Sequence, residues 1–272
     1  MREFGLIGFP LSHSFSEKYF TEKFIRENIS DATYKLFPIE RIETFHDFVS
    51  MHPDLVGLNV TIPYKEKIIP FLDELDETAK AVGAVNVVSL RYVPLEKRGT
   101  TQPDKSTTMK PESICRTVFF KGYNTDVYGF RQSLKPFLTS KHERALILGT
   151  GGASKAVEYV LKQIGVNCIF VSREKKLVVG KTILTYEELN SYIIDSCKLI
   201  VNCSPVGTFP DVNEFPKIPY ESITKEHLLY DLIYNPAETE FLKRGKVQGA
   251  EIMNGLDMLK MQAEKAWEIW SR

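Results

Sequence analysis

Short apolar runs and amphipathic stretches alternate along the whole chain, which is the pattern of an α/β protein. In the first half, residues 4–9, 34–38, 55–62, 84–90 and 116–121 are apolar enough for buried strands. Between them, residues 16–28 carry helical spacing with Tyr19, Phe20, Phe24 and Ile25 apolar, and residues 66–72 and 76–82 read as short helices. A helix-like stretch then ends near Leu138. In the second half, an apolar strand at 144–148 runs into GTGGAS, and a helix follows at 153–164. Strands at 167–171, 199–203 and 228–233, with a short helix at 186–192, continue the βαβ rhythm of a parallel, doubly wound sheet. From about Gly255 to Trp270, Leu256, Leu259, Ala263, Ala266 and Trp270 make one apolar stripe, with Gln262 beside it. One segment breaks the rhythm. GTTQPDKSTTMKPES, residues 99–113, holds a single large apolar residue, Met109, and predicts a mobile surface loop joining two strands.

Composition narrows the function classes. The 272 residues suit a little under two domains at the usual ~150 residues each. A chain that is 43% hydrophobic and 26% charged is neither disordered nor fibrous. Lys+Arg and Asp+Glu are both 35, so the basic excess that binds nucleic acid is missing, and no nucleic-acid partner is expected. No apolar run approaches the ~20 residues of a spanning helix, and the apolar start of MREFGLIGFP is too short for a signal peptide. No membrane partner is expected, and the compartment is read as cytoplasmic. Cys115, Cys168, Cys197 and Cys203 form no Cys-x-x-Cys pair and read as reduced thiols. The five histidines add no ligand spacing, so no metal is expected.

LILGTGGAS carries the most chemistry in the second half. Gly149, Thr150, Gly151, Gly152 and Ala153 link a strand to a helix, with Ser154 where a third glycine is usual. Glycines let a pyrophosphate approach the backbone amides, and the helix N-terminus favours the anion. The motif therefore points to a dinucleotide. The next strand ends in Ser172 and Arg173, and Arg173 lies 24 positions beyond Gly149. A guanidinium there suits the 2′-phosphate of NADP, whereas Glu174 beside it would favour the ribose of NAD. The predominance of Arg173, Lys175 and Lys176 favours NADP. In the first half, LSHSFS offers Ser12, Ser14 and Ser16 at a strand-to-helix junction, where hydroxyls either bind a carboxylate or cap the helix. LNVTIPYKEK offers Asn59, Thr61 and Lys65, and KGYNTDVYG offers Asn124, Thr125 and Asp126, the latter equally suited to an Asx-turn or a helix cap.

Taken in order, SHSFS, NVTIPYKE, GAVNVV, NTD, GTGGAS, VNCSPVG, YDLIYNP and NGLDMLKMQA resemble the shikimate dehydrogenase family across nearly the whole chain. The resemblance implies two domains: an N-terminal α/β substrate domain at 1–125, joined by the C-terminal helix 255–272, and a doubly wound, Rossmann-like NADP-binding domain at 140–250. It places the active site in the cleft between them. It implies reversible NADPH-dependent reduction of 3-dehydroshikimate to shikimate, a step towards chorismate and the aromatic amino acids, by a monomer or homodimer acting on a small molecule. By similarity, Lys65 and Asp126 form the catalytic pair. Ser14 and Ser16 hold the substrate carboxylate near Tyr234, and Asn59, Thr61, Asn86 and Gln262 complete the substrate site. Leu232 and Gly255 lie along the nicotinamide. A second reading is a quinate/shikimate dehydrogenase using NAD. The chain departs from the family pattern in a longer segment at 92–115, in Tyr123 before NTD, and in a shortened or lost helix after VSRE. There only Arg173 matches the family's basic pair securely, and Lys175 and Lys176 compete for the second place.

Overall fold

The computed structural model describes residues 1–11, 14–94 and 116–272, so Ser12 and the loop expected at 99–113 lie outside the described residues. The chain divides into two compact units. Unit 1 is Met1–Lys80, Val85–Tyr123 and Ile269–Arg272; unit 2 is Ala81–Ala84 and Asn124–Glu268. No helix among the described residues is long and apolar enough to cross a membrane.

Unit 1 holds a six-stranded mixed sheet in the order β2-β1-β3-β5-β6-β4, built from β1 (Arg2–Gly8), β2 (Ala32–Pro38), β3 (Leu55–Val60), β4 (Glu74–Leu75), β5 (Val87–Pro94) and β6 (Arg116–Tyr123). β1 runs parallel to β2 and β3, and β5 is antiparallel to both β3 and β6. One core cluster packs Ile7, Leu58, Val60 and Val88 against Phe45, of helix α2 (Phe45–Ser50), and Ile68. Elsewhere in the unit, Phe4 and Phe20, the latter from helix α1 (Phe15–Arg26), gather round Trp270 with ring centroids 5.1 and 5.6 Å from it. Trp270 Nε1 donates to Val88 O at 3.1 Å. Gly57 is needed beneath that indole, because a Cβ there would lie 2.3 Å from Trp270 Nε1.

Unit 2 holds a six-stranded parallel sheet. Its strands are β7 (Arg144–Leu148), β8 (Asn167–Ser172), β9 (Thr182–Thr185), β10 (Leu199–Asn202), β11 (Leu228–Asp231) and β12 (Glu251–Met253), ordered β12-β11-β10-β7-β8-β9. Numbered within the sheet this is 3-2-1-4-5-6, the doubly wound nucleotide-binding order, with its switch point between β7 and β10. Apart from the exposed Arg144 that opens β7, the central strands are buried, so they read as unbroken apolar runs. Alternate residues feed two cores. Ala145, Ile147, Leu199 and Val201 meet Val157 and Leu161 of helix α5 (Gly152–Gln163), whereas Leu146, Leu148, Ile200 and Leu229 meet Phe241 and Leu242.

Two expected helices change form. Residues 66–72 make turns and a single 3₁₀ turn at Ile69–Phe71, because Pro70 lacks the N–H that an α-helix there requires. Residues 186–192 split. A capping box between Thr185 and Glu188 closes a 3₁₀ turn at Tyr186–Glu188, and Asn190 then caps a new helix, α6 (Ser191–Ser196). Helix α3 (Glu77–Val82) falls where expected, and helix α4 (Asp126–Leu134) begins on the NTD motif. Helix α7 (Glu240–Val247) and strands β4, β9 and β12 add to the elements expected from the pattern. In the last helix, α8 (Leu256–Trp270), the buried line runs through Met258, Gln262, Ala263, Ala266 and Trp270, while Leu256 and Leu259 are only half-buried. The link from Arg173 to Lys181 contains no helix.

Candidate functional site

The residues nominated in unit 1 gather where β1, β3 and the strand entry at Asn86 meet. Ser14 caps α1 by accepting the Ser16 N–H at 3.1 Å. Ser16 is itself buried, and its side chain bonds the Tyr34 hydroxyl. Tyr34 Oη donates to Asn59 Oδ1 at 2.7 Å, and Asn59 Nδ2 donates to Asn86 O at 3.3 Å. The result is a continuous buried polar line from α1 to Asn86. Burial pushes the Tyr34 hydroxyl far above its ordinary pKa, so it stays a neutral donor. Asn86 O also accepts Val60 N at 2.9 Å, and Val85 N donates to Lys65 O at 2.7 Å, which brings Lys65 and Asn86 to one corner. Thr61 follows directly, its N–H bonded to Ile7 O at 3.0 Å. Gly8 leaves room for it, since a Cβ there would lie 2.5 Å from Thr61 Cγ2.

Unit 2 supplies the others. Asp126 opens α4 and is buried. The turn before it is fixed by Asn124, whose Nδ2 donates to Ala84 O at 2.9 Å and whose Oδ1 accepts Val127 N at 3.3 Å. Thr125 Oγ1 donates to Gln262 Oε1 at 3.3 Å, which joins the Asp126 turn to α8. Gly129 permits that approach, because a Cβ there would lie 2.5 Å from Met258 O. Leu232 and Gly255 also come together, whereas Tyr234, two residues after Leu232, is exposed. Gly255 N donates to Ile233 O at 3.1 Å, and a Cβ on Gly255 would stand 2.0 Å from Leu232 O, so only glycine fits.

Asp231 organises this corner and was not singled out by sequence reasoning, although it sits inside YDLIYNP. It is fully buried. Asn202 Nδ2 and Ile233 N each donate to its Oδ1 at 3.0 Å, and Thr239 Oγ1 donates to Oδ2 at 2.6 Å. Burial pushes its pKa up to about 6 against the opposing pull of those hydrogen bonds. Its position on β11, one residue before Leu232, was the available signal. Tyr34 and Gly129 were missed as well.

The glycine turn sits at the switch point of the parallel sheet. Gly149 has φ +109°, and its N–H donates to Val171 O at 2.8 Å. Gly151 caps α5 with no side chain, and a Cβ built on it would meet nothing within 4 Å. An open approach to a bare helix N-terminus fits a pyrophosphate. Thr150, Gly152 and Ala153 complete the turn and are half-buried; Ser154 Oγ donates to Gly151 O at 2.6 Å and braces it. At the end of β8, Ser172 is buried and Arg173 is exposed. The Arg173 charge is felt by Tyr186, whose hydroxyl burial otherwise raises.

A parallel sheet in nucleotide-binding order, with this turn at its switch point and a second α/β unit bearing a buried polar corner, defines the class of dinucleotide-dependent oxidoreductases. A family model described as "Shikimate dehydrogenase substrate binding domain" matches residues 6–88. A shikimate dehydrogenase (NADP(+)) from Carboxydothermus hydrogenoformans is 36% identical over 98% of this chain and 90% of its own. The crystal structure of shikimate dehydrogenase 1 from Peptoclostridium difficile aligns at 35% identity with a TM-score of 0.78, covering 100% of this chain and 92% of that one. The Thermus thermophilus enzyme, solved in complex with NADP(H) and shikimate, aligns at 26% identity and a TM-score of 0.77, covering 100% and 94%. The chain belongs to the shikimate dehydrogenase family.

Proposed function

We propose that the protein catalyses the reversible reduction of 3-dehydroshikimate to shikimate with NADPH, as a cytoplasmic enzyme. The observation that carries this reading is the buried line Ser16–Tyr34–Asn59–Asn86 ending beside Lys65, present in the same chain as the open Gly149–Gly152 turn. A polyhydroxylated ring acid needs fixed donors and acceptors, and a buried network supplies them without reorganisation.

NADPH, when bound, would supply the hydride. The chain's own residues supply alignment and the proton. Ser14 and Ser16 receive the substrate carboxylate, with Tyr234 a further candidate for it, while Thr61, Asn86 and Gln262 hold the ring hydroxyls and Asn59 braces the corner through Tyr34 and Asn86. In reduction, the Lys65 ammonium gives its proton to the oxygen of the reacting carbonyl as negative charge develops there. In oxidation, neutral Lys65 takes the proton back. Asp126 is the carboxylate member of the catalytic pair. Positioned proton transfer of this kind is worth about 10²–10⁴-fold. On the coenzyme side, the amides of Gly149–Ala153 with Thr150 receive the pyrophosphate. Ser172 and Arg173 receive the 2′-phosphoribose, and Leu232 and Gly255 line the nicotinamide.

The test is a spectrophotometric assay of the purified chain with shikimate and NADP⁺, repeated with quinate and with NAD⁺. The expected result is turnover that is greatest with shikimate and NADP⁺. Greater kcat/KM with quinate and NAD⁺ would replace this reading with the quinate/shikimate alternative, and absence of turnover with every pair would overturn both.

A further inference from the structure

The pairing of β1 with β3 continues beyond Val60. Thr61 N donates to Ile7 O at 3.0 Å and Phe9 N donates to Ile62 O at 3.2 Å, so Gly8 and Thr61 lie side by side at the two strand ends. Thr61 O is also taken, by Tyr64 N at 2.8 Å, and Gly8 O accepts Ile39 N at 3.2 Å. Both main-chain groups of Thr61 are therefore held, and the freedom left to the residue is χ1, with its three staggered wells. The packing above Gly8 selects among them. A Cβ built on Gly8 would stand 2.5 Å from Thr61 Cγ2, 3.0 Å from Ile62 O and 3.1 Å from Leu11 Cδ2. The space a side chain would need is thus filled by the Thr61 methyl, with a Leu11 methyl beside it. Gly8 is not among the glycines with positive φ, so alanine would suit its main chain and only this space forbids one. The Thr61 hydroxyl, by contrast, has no hydrogen-bond partner among the described residues, whereas Asn59, two residues earlier, has both ends of its amide engaged. The methyl is seated and the hydroxyl is available.

We propose that Gly8 is a positioning residue for the substrate: by admitting the Thr61 methyl it holds one χ1 rotamer, and so fixes the place of the hydroxyl that meets a ring hydroxyl. The proposal rests on the substrate reading above and deepens it. A hydroxyl without a seated methyl divides itself among three rotamers, and binding loses the factor by which the competent one is depleted. Threonine avoids that loss only where its methyl has a single good seat, and the bare Cα of Gly8 supplies the seat. A methyl on residue 8 and the Thr61 methyl cannot both occupy it at 2.5 Å. The strand ends are held by main-chain hydrogen bonds, so the group that yields is the Thr61 side chain, which turns to another well and carries Oγ1 with it.

Steady-state kinetics of the purified full chain, with shikimate varied at saturating NADP⁺, test this. Gly8→Ala should raise the KM for shikimate by about 3- to 10-fold, the net effect of one hydrogen bond, and leave kcat and the KM for NADP⁺ within about 2-fold. Thr61→Val keeps the seated methyl and loses the hydroxyl, and should raise the same KM by a similar factor. Thr61→Ser keeps the hydroxyl and loses the methyl, and should raise it by about 3-fold, one rotamer in three. The deciding measurement is the double variant Gly8→Ala, Thr61→Ser. With no methyl at position 61 to displace, the alanine should add no more than about 2-fold to the effect of Thr61→Ser. Its approach to Ile62 O is the same in both backgrounds and cancels in the cycle. If Gly8→Ala raises the KM by the same factor beside serine as beside threonine, it acts on the fold and the proposal falls. An unchanged KM in Thr61→Ser or in Thr61→Val overturns it as well, even if Gly8→Ala fails to fold, while native turnover on shikimate leaves the function standing. A native chain without turnover on shikimate would overturn the function itself, and this proposal with it.

Discussion

Unit 1 braces its candidate site with buried polar side chains, whereas unit 2 gathers much of its own from main chain and from side chains left in solvent. Ser16, Asn59 and Asn86 are all buried, and each is committed to a partner before any substrate arrives. Gly151 is exposed and caps α5 without a side chain, and Arg173 stands in solvent. The difference follows the ligand each would take. A small ring with several hydroxyls is told from its isomers by fixed donors and acceptors, which must not move. A pyrophosphate presents many oxygens and needs only N–H groups and a helix end. Substitutions in unit 1 should therefore act on substrate selectivity and on stability together. Substitutions at the solvent-facing edge of unit 2 should act on coenzyme affinity alone.

The largest expected effect tests the reactive end of the unit 1 corner. Lys65→Ala should lower kcat by about 10²–10⁴-fold with less change in the KM for shikimate, measured in steady state. A near-normal kcat would leave the buried corner as a scaffold and remove Lys65 from the chemistry.

The second prediction tests whether unit 2 also contains a buried anchor that behaves like those of unit 1. Asp231 has its pKa raised from 3.8 to about 6 by burial. In the folded state it holds its proton more tightly than in the unfolded chain. Its contribution to stability is therefore fully present below about pH 4 and is lost as pH rises through about 6. The total is about 3 kcal/mol at 1.36 kcal/mol per pKa unit. Asp231→Asn cannot ionise. The stability of the variant relative to the native chain should thus rise between pH 4 and about 6 and level off above that, in urea denaturation run across this range. A pH-independent difference would show that Asp231 does not titrate there.

The strands of unit 2 were legible because burial on both faces writes continuous apolar runs such as ALIL and LIVN. Residues 66–72 were not, since Ile68, Ile69, Phe71 and Leu72 have helical spacing but surround Pro70. Met258 in α8 was passed over because the chosen stripe ran through Leu256 and Leu259, one turn-face away. For the site, short motifs nominate Ser14, Lys65 and Asp126 but say nothing of what braces them. Tyr34 meets Asn59 across 25 positions, and Thr125 meets Gln262 across 137. Such pairings arise only when segments distant in sequence pack together. Asp231 lay within a quoted motif, but its burial and its three partners are properties of the fold.

A smaller effect separates bracing from contact in unit 1. Tyr34→Phe removes the hydroxyl that donates to Asn59 Oδ1 and bonds Ser16, leaving two buried polar groups short of a partner. The cost should be about 1–3 kcal/mol of stability, seen in denaturant unfolding, with a raised KM for shikimate. NADP⁺ affinity should be unchanged. A comparable loss in coenzyme affinity would break the division of labour drawn above.

The smallest effect falls at the exposed edge of unit 2. Arg173 lies in solvent at the end of β8, so removing it leaves no buried group unsatisfied and should not alter stability measurably. Its guanidinium can still meet the 2′-phosphate, an interaction available with NADPH and absent with NADH. Arg173→Ala should raise the KM for NADPH by about tenfold, the equivalent of one charge-assisted hydrogen bond, and leave the KM for NADH nearly unchanged. Equal increases for both coenzymes would mean that Arg173 contacts a part they share and does not carry the preference for NADP.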